Sequence, residues 1–387
     1  MKKYLNITAI SKKITAVIIT LLVSALFISA GKNTDVQADC PAYILMEART
    51  RAVLDEYNPD LQVNAGYMSK LMALLLIAED IEDGKYTTDT IMTASQAVAG
   101  TEGAVVWIEP AENITVDELL KAVIIGNAND AMTVLAENSE QSVENFIMRM
   151  NSGAFDLGLR DTAFYSPYGY YDEREHTTAH DLAVICAELS EYTILEPYFI
   201  TWRDFIRNGM AELVNENTLS RTYENHIGFK ASHSEKSGYC IAEGGRNSEG
   251  TTYIAVVLGA ENDDISMKKA KELVNRGFSD YHITATMFPD EMLMPIKVKN
   301  GTELAVEIRL KNQSNLVVPK NIHELNTVVV LPDFLTAPVK KGQVIGSAGF
   351  YSGETLVCET DIIVQDNVSE LSFPYSFRKI LSDIIRK

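Results

Sequence analysis

The sequence predicts an α+β protein (an α/β sandwich) followed by a small all-β domain. Three observations lead there. Between Ala42 and Arg276, strand-type runs stand at both ends of a series of apolar and amphipathic helices. After about Ile283 helical periodicity fades and short β-type runs separated by turn residues take over. At 387 residues and 46% apolar composition, the chain can bury more than one core and is not disordered.

The elements follow in order. Lys2, Lys3, Lys12 and Lys13 precede an uncharged apolar run from Ile14 to Ala30, the pattern of a secretory signal over residues 1–39. Ile28-Ser29-Ala30 and Val36-Gln37-Ala38 are both plausible cleavage ends, and an uncleaved anchor is the alternative. Residues 40–282 form the main domain. Ala42–Glu47 and Ala52–Tyr57 read as two strands joined at Arg49-Thr50-Arg51. An apolar helix runs from Tyr67 to Glu82 and stops near Gly84. Thr115 with Glu118 is a capping box that opens Val116–Ile125. Helices follow at Asn129–Asn138 and Val143–Met150, and Thr178 caps another through Leu189, with His180 on its surface. Tyr253–Gly259 is a buried strand and Ser266–Arg276 a helix. Residues 283–368 form the β domain, with strands at Ile296–Val298, Leu304–Ile308, Thr327–Leu331, Val344–Ile345 and Thr360–Val364. In the tail, 369–387, Phe373, Phe377, Ile380, Leu381, Ile384 and Ile385 share one helical face. Arg378, Lys379, Arg386 and Lys387 share the other, which suggests a helix lying on a membrane surface, or one docked on the β domain.

Charge and cysteine content exclude several classes. Removing residues 1–39 takes away five lysines and two aspartates and moves the net charge from −19 to −22, which argues against a nucleic-acid partner. Four widely spaced cysteines are not a disulfide framework, and no Cys/His spacing suits zinc. No cofactor is implied.

The chemistry-bearing segments form an ordered set. Asn64-Ala65-Gly66-Tyr67-Met68-Ser69-Lys70 opens the first helix. Val106-Trp107-Ile108-Glu109-Pro110 leads to Gly126-Asn127-Ala128-Asn129-Asp130, then Ser166-Pro167-Tyr168-Gly169 and Thr177-Thr178-Ala179-His180-Asp181. Gly228-Phe229-Lys230-Ala231-Ser232 precedes Ser237-Gly238-Tyr239-Cys240. In order and spacing, Ala42 to Phe278 resembles the D-alanyl-D-alanine carboxypeptidases, the serine-type low-molecular-mass penicillin-binding proteins. Pro338–Gly346 resembles part of that family's C-terminal domain. The resemblance implies a penicillin-binding/β-lactamase-like antiparallel sheet flanked by helices, export to the outer face of the bacterial cytoplasmic membrane or the wall, and peptidoglycan peptide stems as partner.

The family's chemistry uses three motifs, and each is altered here. In S-x-x-K a serine attacks the peptide carbonyl and the lysine acts as base; this chain keeps Lys70 and places Tyr67 at the nucleophile position. In S-x-N the chain has Asn127-Ala128-Asn129. In K-T-G, which binds the terminal carboxylate, it has Lys230-Ala231-Ser232, followed by His233 at the oxyanion-hole position. A tyrosine oxygen projects several ångströms past a serine oxygen, and a misplacement of ~1 Å can cost on the order of a hundredfold in rate. Ser69 points about 100° away from Lys70 around a helix. The pattern implies a degenerate carboxypeptidase that binds muropeptide stems or a wall partner. Two alternatives stay open: an active carboxypeptidase with an atypical nucleophile, and a scaffold in which Lys70, Asn129 and Lys230 only satisfy one another.

Overall fold

The computed structural model describes residues 40–169, 172–284, 293–311, 316–322 and 325–372. The expected signal segment and residues 373–387 of the expected tail helix lie outside them. No helix of the described residues is long and apolar enough to cross a membrane.

A hairpin of β1 (Ala42–Glu47) and β2 (Val53–Tyr57) opens the main domain. The chain then enters a 3-10 turn, Gly66–Ser69, that runs into α1 (Lys70–Glu82). Residues 70–78 of α1 are all buried, as expected for a helix apolar around most of its circumference. Gly84 ends it at φ +74, and Lys85 N donates to Asp80 O. β3 (Ile91–Thr93) and β4 (Asn113–Thr115) pair as a ribbon, and α2 (Val116–Ile124) starts with Thr115 Oγ1 accepting from Glu118 N. α3 (Asn129–Glu140), α4 (Val143–Asp156) and α5 (Ala179–Leu189) follow, α5 capped by Thr178.

After the short helix α6 (Glu196–Phe199) comes a hairpin, β5 (Arg203–Ile206) and β6 (Ala211–Val214), that the sequence reading did not anticipate. The one-turn helix α7 (Leu219–Thr222) leads to three long strands, β7 (His226–Ser234), β8 (Gly238–Arg246) and β9 (Thr252–Ala260), and to α8 (Asp263–Asp280). α8 begins earlier than the expected Ser266, because the Asn262 side chain caps it through Ile265 N.

These strands form one antiparallel sheet in the order β2-β1-β9-β8-β7. Alternation sorts its side chains between two cores. Ile44, Met46, Ala242, Ile254 and Val256 join the core built by α1 to α5. Leu45, Ala231, Ile241, Tyr253 and Val257 join the core under α8. Covering on both faces explains why β9 reads as an unbroken apolar run.

β10 (Tyr281–Thr284) continues from α8 and pairs with β14 (Leu316–Pro319), so the expected boundary at 283 falls within a strand. The β domain also contains β11 (Ile296–Lys299), β12 (Ala305–Val306), β13 (Ile308–Leu310), β15 (Asn326–Val330), β16 (Leu335–Thr336), β17 (Val344–Ser352) and β18 (Thr355–Val364). The expected run Leu304–Ile308 is split between two strands in different sheets, and the last two strands are far longer than their apolar cores suggested.

The main domain closes on its own turns at Gly169. With φ +76, its Cβ would lie 1.6 Å from the Gly66 carbonyl oxygen. Gly169→Ala is therefore expected to destabilise the protein by more than about 2 kcal/mol. A urea midpoint equal to the wild type's would show that the two turns can separate freely.

Candidate active site

The site is built where the Gly66–Ser69 turn, the α2–α3 junction and β7 converge. Gly66 sits at φ +51 against the β7–β8 turn, where a Cβ would lie 2.9 Å from Ser237 Oγ. Asn64 fixes the turn, with Oδ1 accepting from Gly66 N and Nδ2 donating to the Asp172 and Glu175 carbonyls. At the α2–α3 junction Asn127 takes φ +55, a left-handed conformation that asparagine tolerates.

Lys70, fully buried, reaches from the first turn of α1 into this junction. Its Nζ donates to Asn127 Oδ1 at 3.0 Å and Asn129 Oδ1 at 2.5 Å, and lies 4.6 Å from the centre of the Tyr67 ring. Lys230 Nζ donates to the same Asn127 Oδ1 at 2.7 Å. Asn127 Nδ2 donates to Glu216 Oε2 at 3.2 Å, and Asn129 Nδ2 to the Glu102 carbonyl at 2.7 Å. Burial, then the charge of Lys230, holds the Lys70 amine well below the ordinary lysine range. Burial pushes Lys230 down to about 8, and Glu216 opposes that shift.

The structure thus brings Tyr67, Lys70, Asn127, Asn129 and Lys230 into one cluster. Ser232 shares the sheet face of Lys230, since Lys230 stands opposite Ala242 and Ser232 opposite Cys240. Its Oγ is buried without a hydrogen-bond partner. Ala231 departs from its expected place among the ligand-contacting residues. It points to the opposite face and packs in the core under α8, because side chains alternate along a strand. His233 is exposed and stacks on Tyr239 at 4.1 Å. Ser69 turns away from Lys70, as its place directly before Lys70 implies, and donates to Glu175 Oε1 at 2.6 Å. Chiefly through burial, the Glu175 carboxyl is raised to about 7.

Sequence reasoning missed Glu216, Glu175 and the Glu102 carbonyl. No local pattern distinguishes these glutamates among 53 acidic residues, since their roles arise only when distant segments meet.

An antiparallel sheet between helical layers, with a lysine on the first helix facing an asparagine junction and a lysine on β7, defines a penicillin-binding frame. The chain belongs to the D-alanyl-D-alanine carboxypeptidase family, whose sequence model matches residues 28–262. A model of the penicillin-binding protein 5 C-terminal domain matches residues 284–370. The D-alanyl-D-alanine carboxypeptidase DacF of Bacillus subtilis is 26% identical over 95% of both chains. The carboxypeptidase DacC of Escherichia coli is 28% identical over 87% of this chain and 86% of its own. In fold, the chain is similar to penicillin binding protein 5 from Haemophilus influenzae, with a TM-score of 0.76 and 23% identity over 86% of this chain and 98% of that one.

The lowered lysine values have a sign that can be measured. The folded state gives up the Lys230 proton near pH 8, whereas the unfolded chain holds it to the ordinary 10.5. Stability from this group is therefore full above the unfolded value and is lost as pH falls through the folded one. Between pH 8 and 10 the wild-type urea midpoint is expected to rise relative to that of Lys230→Met. Parallel curves would show that Lys230 stays charged in the folded protein.

Proposed function

We propose that this protein is an exported, wall-associated member of the family that binds peptidoglycan peptide stems without hydrolysing them. One contrast within the cluster carries the reading. Lys70 donates to two amide oxygens and faces the Tyr67 ring, and no serine hydroxyl is among its hydrogen-bond partners in the described residues. Lys230 has three donors and, among the described residues, one hydrogen bond, and it shares a face with the unpartnered Ser232 Oγ. Buried polar groups require partners, and a peptide carboxylate or amide supplies them. The family's action on peptide stems supports that choice of ligand. The basic amphipathic tail, read from the sequence, would hold the protein to the membrane surface.

Fluorescent penicillin is expected to leave the protein unlabelled, and a pentapeptide ending in D-Ala-D-Ala to bind saturably with no release of D-alanine. A covalent adduct on Tyr67, Ser69 or Ser232 would instead establish an active carboxypeptidase with an atypical nucleophile. An absence of amide shifts at Lys230 in the presence of millimolar pentapeptide would leave the scaffold reading standing.

Restoring the serine is expected to be insufficient. Tyr67→Ser leaves Lys70 bound to both asparagine oxygens, with Ser232 still on the ligand face, so turnover stays at background. Measurable D-alanine release by that single variant would refute the claim that the departures act separately.

A further inference from the structure

Trp107 is 81% exposed and adopts φ +54, a conformation that a bulky residue rarely takes. Its loop is held from both sides. The buried Asp130 carboxylate accepts from Val106 N at 3.1 Å and Ile108 N at 2.9 Å. The Arg207 guanidinium donates to Val106 O at 2.7 Å and Trp107 O at 3.2 Å, and is itself clamped by Glu112. A large aromatic ring is thus kept in solvent by a rigid backbone, with no contribution to the core that would explain it.

The same loop forms one wall of the site. Its Glu102 and Ala104 carbonyls accept from Asn129 Nδ2 and Asn129 N, so the rim bearing Trp107 is continuous with the Lys70–Lys230 cluster. Charge narrows the occupant. Arg207, the cation that holds this loop, is taken up by two carbonyls and Glu112, and the exposed Glu102 and Glu109 stand on either side of Trp107. Polyanions and acidic lipid are disfavoured there, whereas the apolar C–H face of an uncharged pyranose suits a fixed indole plane.

We propose that Trp107 is a saccharide platform that stacks a sugar ring of an N-acetylated glycan strand, beside the groove that takes the peptide stem. The assignment of the sugar rests in part on the stem-binding reading, and the test separates the two. Trp107 and Trp202 are the chain's two tryptophans, so in a Trp202→Phe background fluorescence reports Trp107 alone. Titration with a peptide-free N-acetylglucosamine tetramer is expected to shift Trp107 emission saturably. Trp107→Ala is expected to weaken pelleting with peptide-stripped sacculi by about tenfold, and Trp107→Phe by less. Free pentapeptide should bind Trp107→Ala as it binds the wild type. No spectral change at millimolar tetramer, or wild-type pelleting by a normally folded Trp107→Ala, overturns the proposal and points to a protein partner. Failure of the wild type to bind pentapeptide, with the tetramer still bound, would refute stem binding and leave the glycan result intact, whereas loss of pentapeptide binding only in Trp107→Ala would overturn the separate platform.

Discussion

One amide oxygen, Asn127 Oδ1, accepts hydrogen bonds from two buried lysines that arrive from a helix and a strand. Burial disfavours the charged form of both amines, and the charge of Lys230 adds to the shift of Lys70, so both move toward the neutral form. Much else in the main domain serves this contact. The left-handed turn at Asn127 aims the carbonyl inward, α1 carries Lys70 through its first turn, and β7 places Lys230 on the sheet face toward α1. Glu216, exposed at the end of the same chain of bonds, is the carboxylate that offsets the two cations.

That constraint also decides what each motif departure does. The Tyr67 change puts an aromatic ring where a serine would stand, with its centre 4.6 Å from the Lys70 amine. Ser232 puts a polar side chain on the sheet face of Lys230, whereas Ala231, where the family pattern has threonine, packs into a core that needs no hydroxyl. The departures are therefore unequal: Tyr67 and Asn127 both stand against the Lys70 amine, Ser232 faces the same side of the sheet as Lys230, and Ala231 is nearly silent in packing.

How much of this is legible in sequence follows from the range of the forces involved. Helix starts at Thr115 and Thr178 are visible because capping is local. The apolar run of β9 is visible because both its faces are covered. The β5–β6 hairpin is hard to read although Asn208-Gly209 is a hairpin signal, because its flanks are four residues each and the adjacent pairs Phe205-Ile206 and Leu213-Val214 break the apolar alternation. Lys70, Asn127, Asn129 and Lys230 are legible as a spaced pattern. The opposite facing of Ala231 and Ser232 is legible only once the pairing register of β7 is known. Glu216 and Glu175 carry no pattern at all, since each acquires its role from a residue about ninety to a hundred positions away.

Glu175 holds the serine that stands beside Lys70 in a pairing of its own. Ser69 is fully buried, and its hydrogen goes to a carboxyl whose own value is raised to about 7 by burial. A serine beside a carboxyl of that strength resembles an activated pair in isolation. Here the pair lies beside the close approach of Gly169 to Gly66, where a Gly169 Cβ would stand 3.1 Å from Ser69 Oγ. The pair acts instead as a tether that fixes the turn, and so fixes the tyrosine ring over the amine. Ser69 thus helps to set where the Tyr67 ring stands relative to the Lys70 amine.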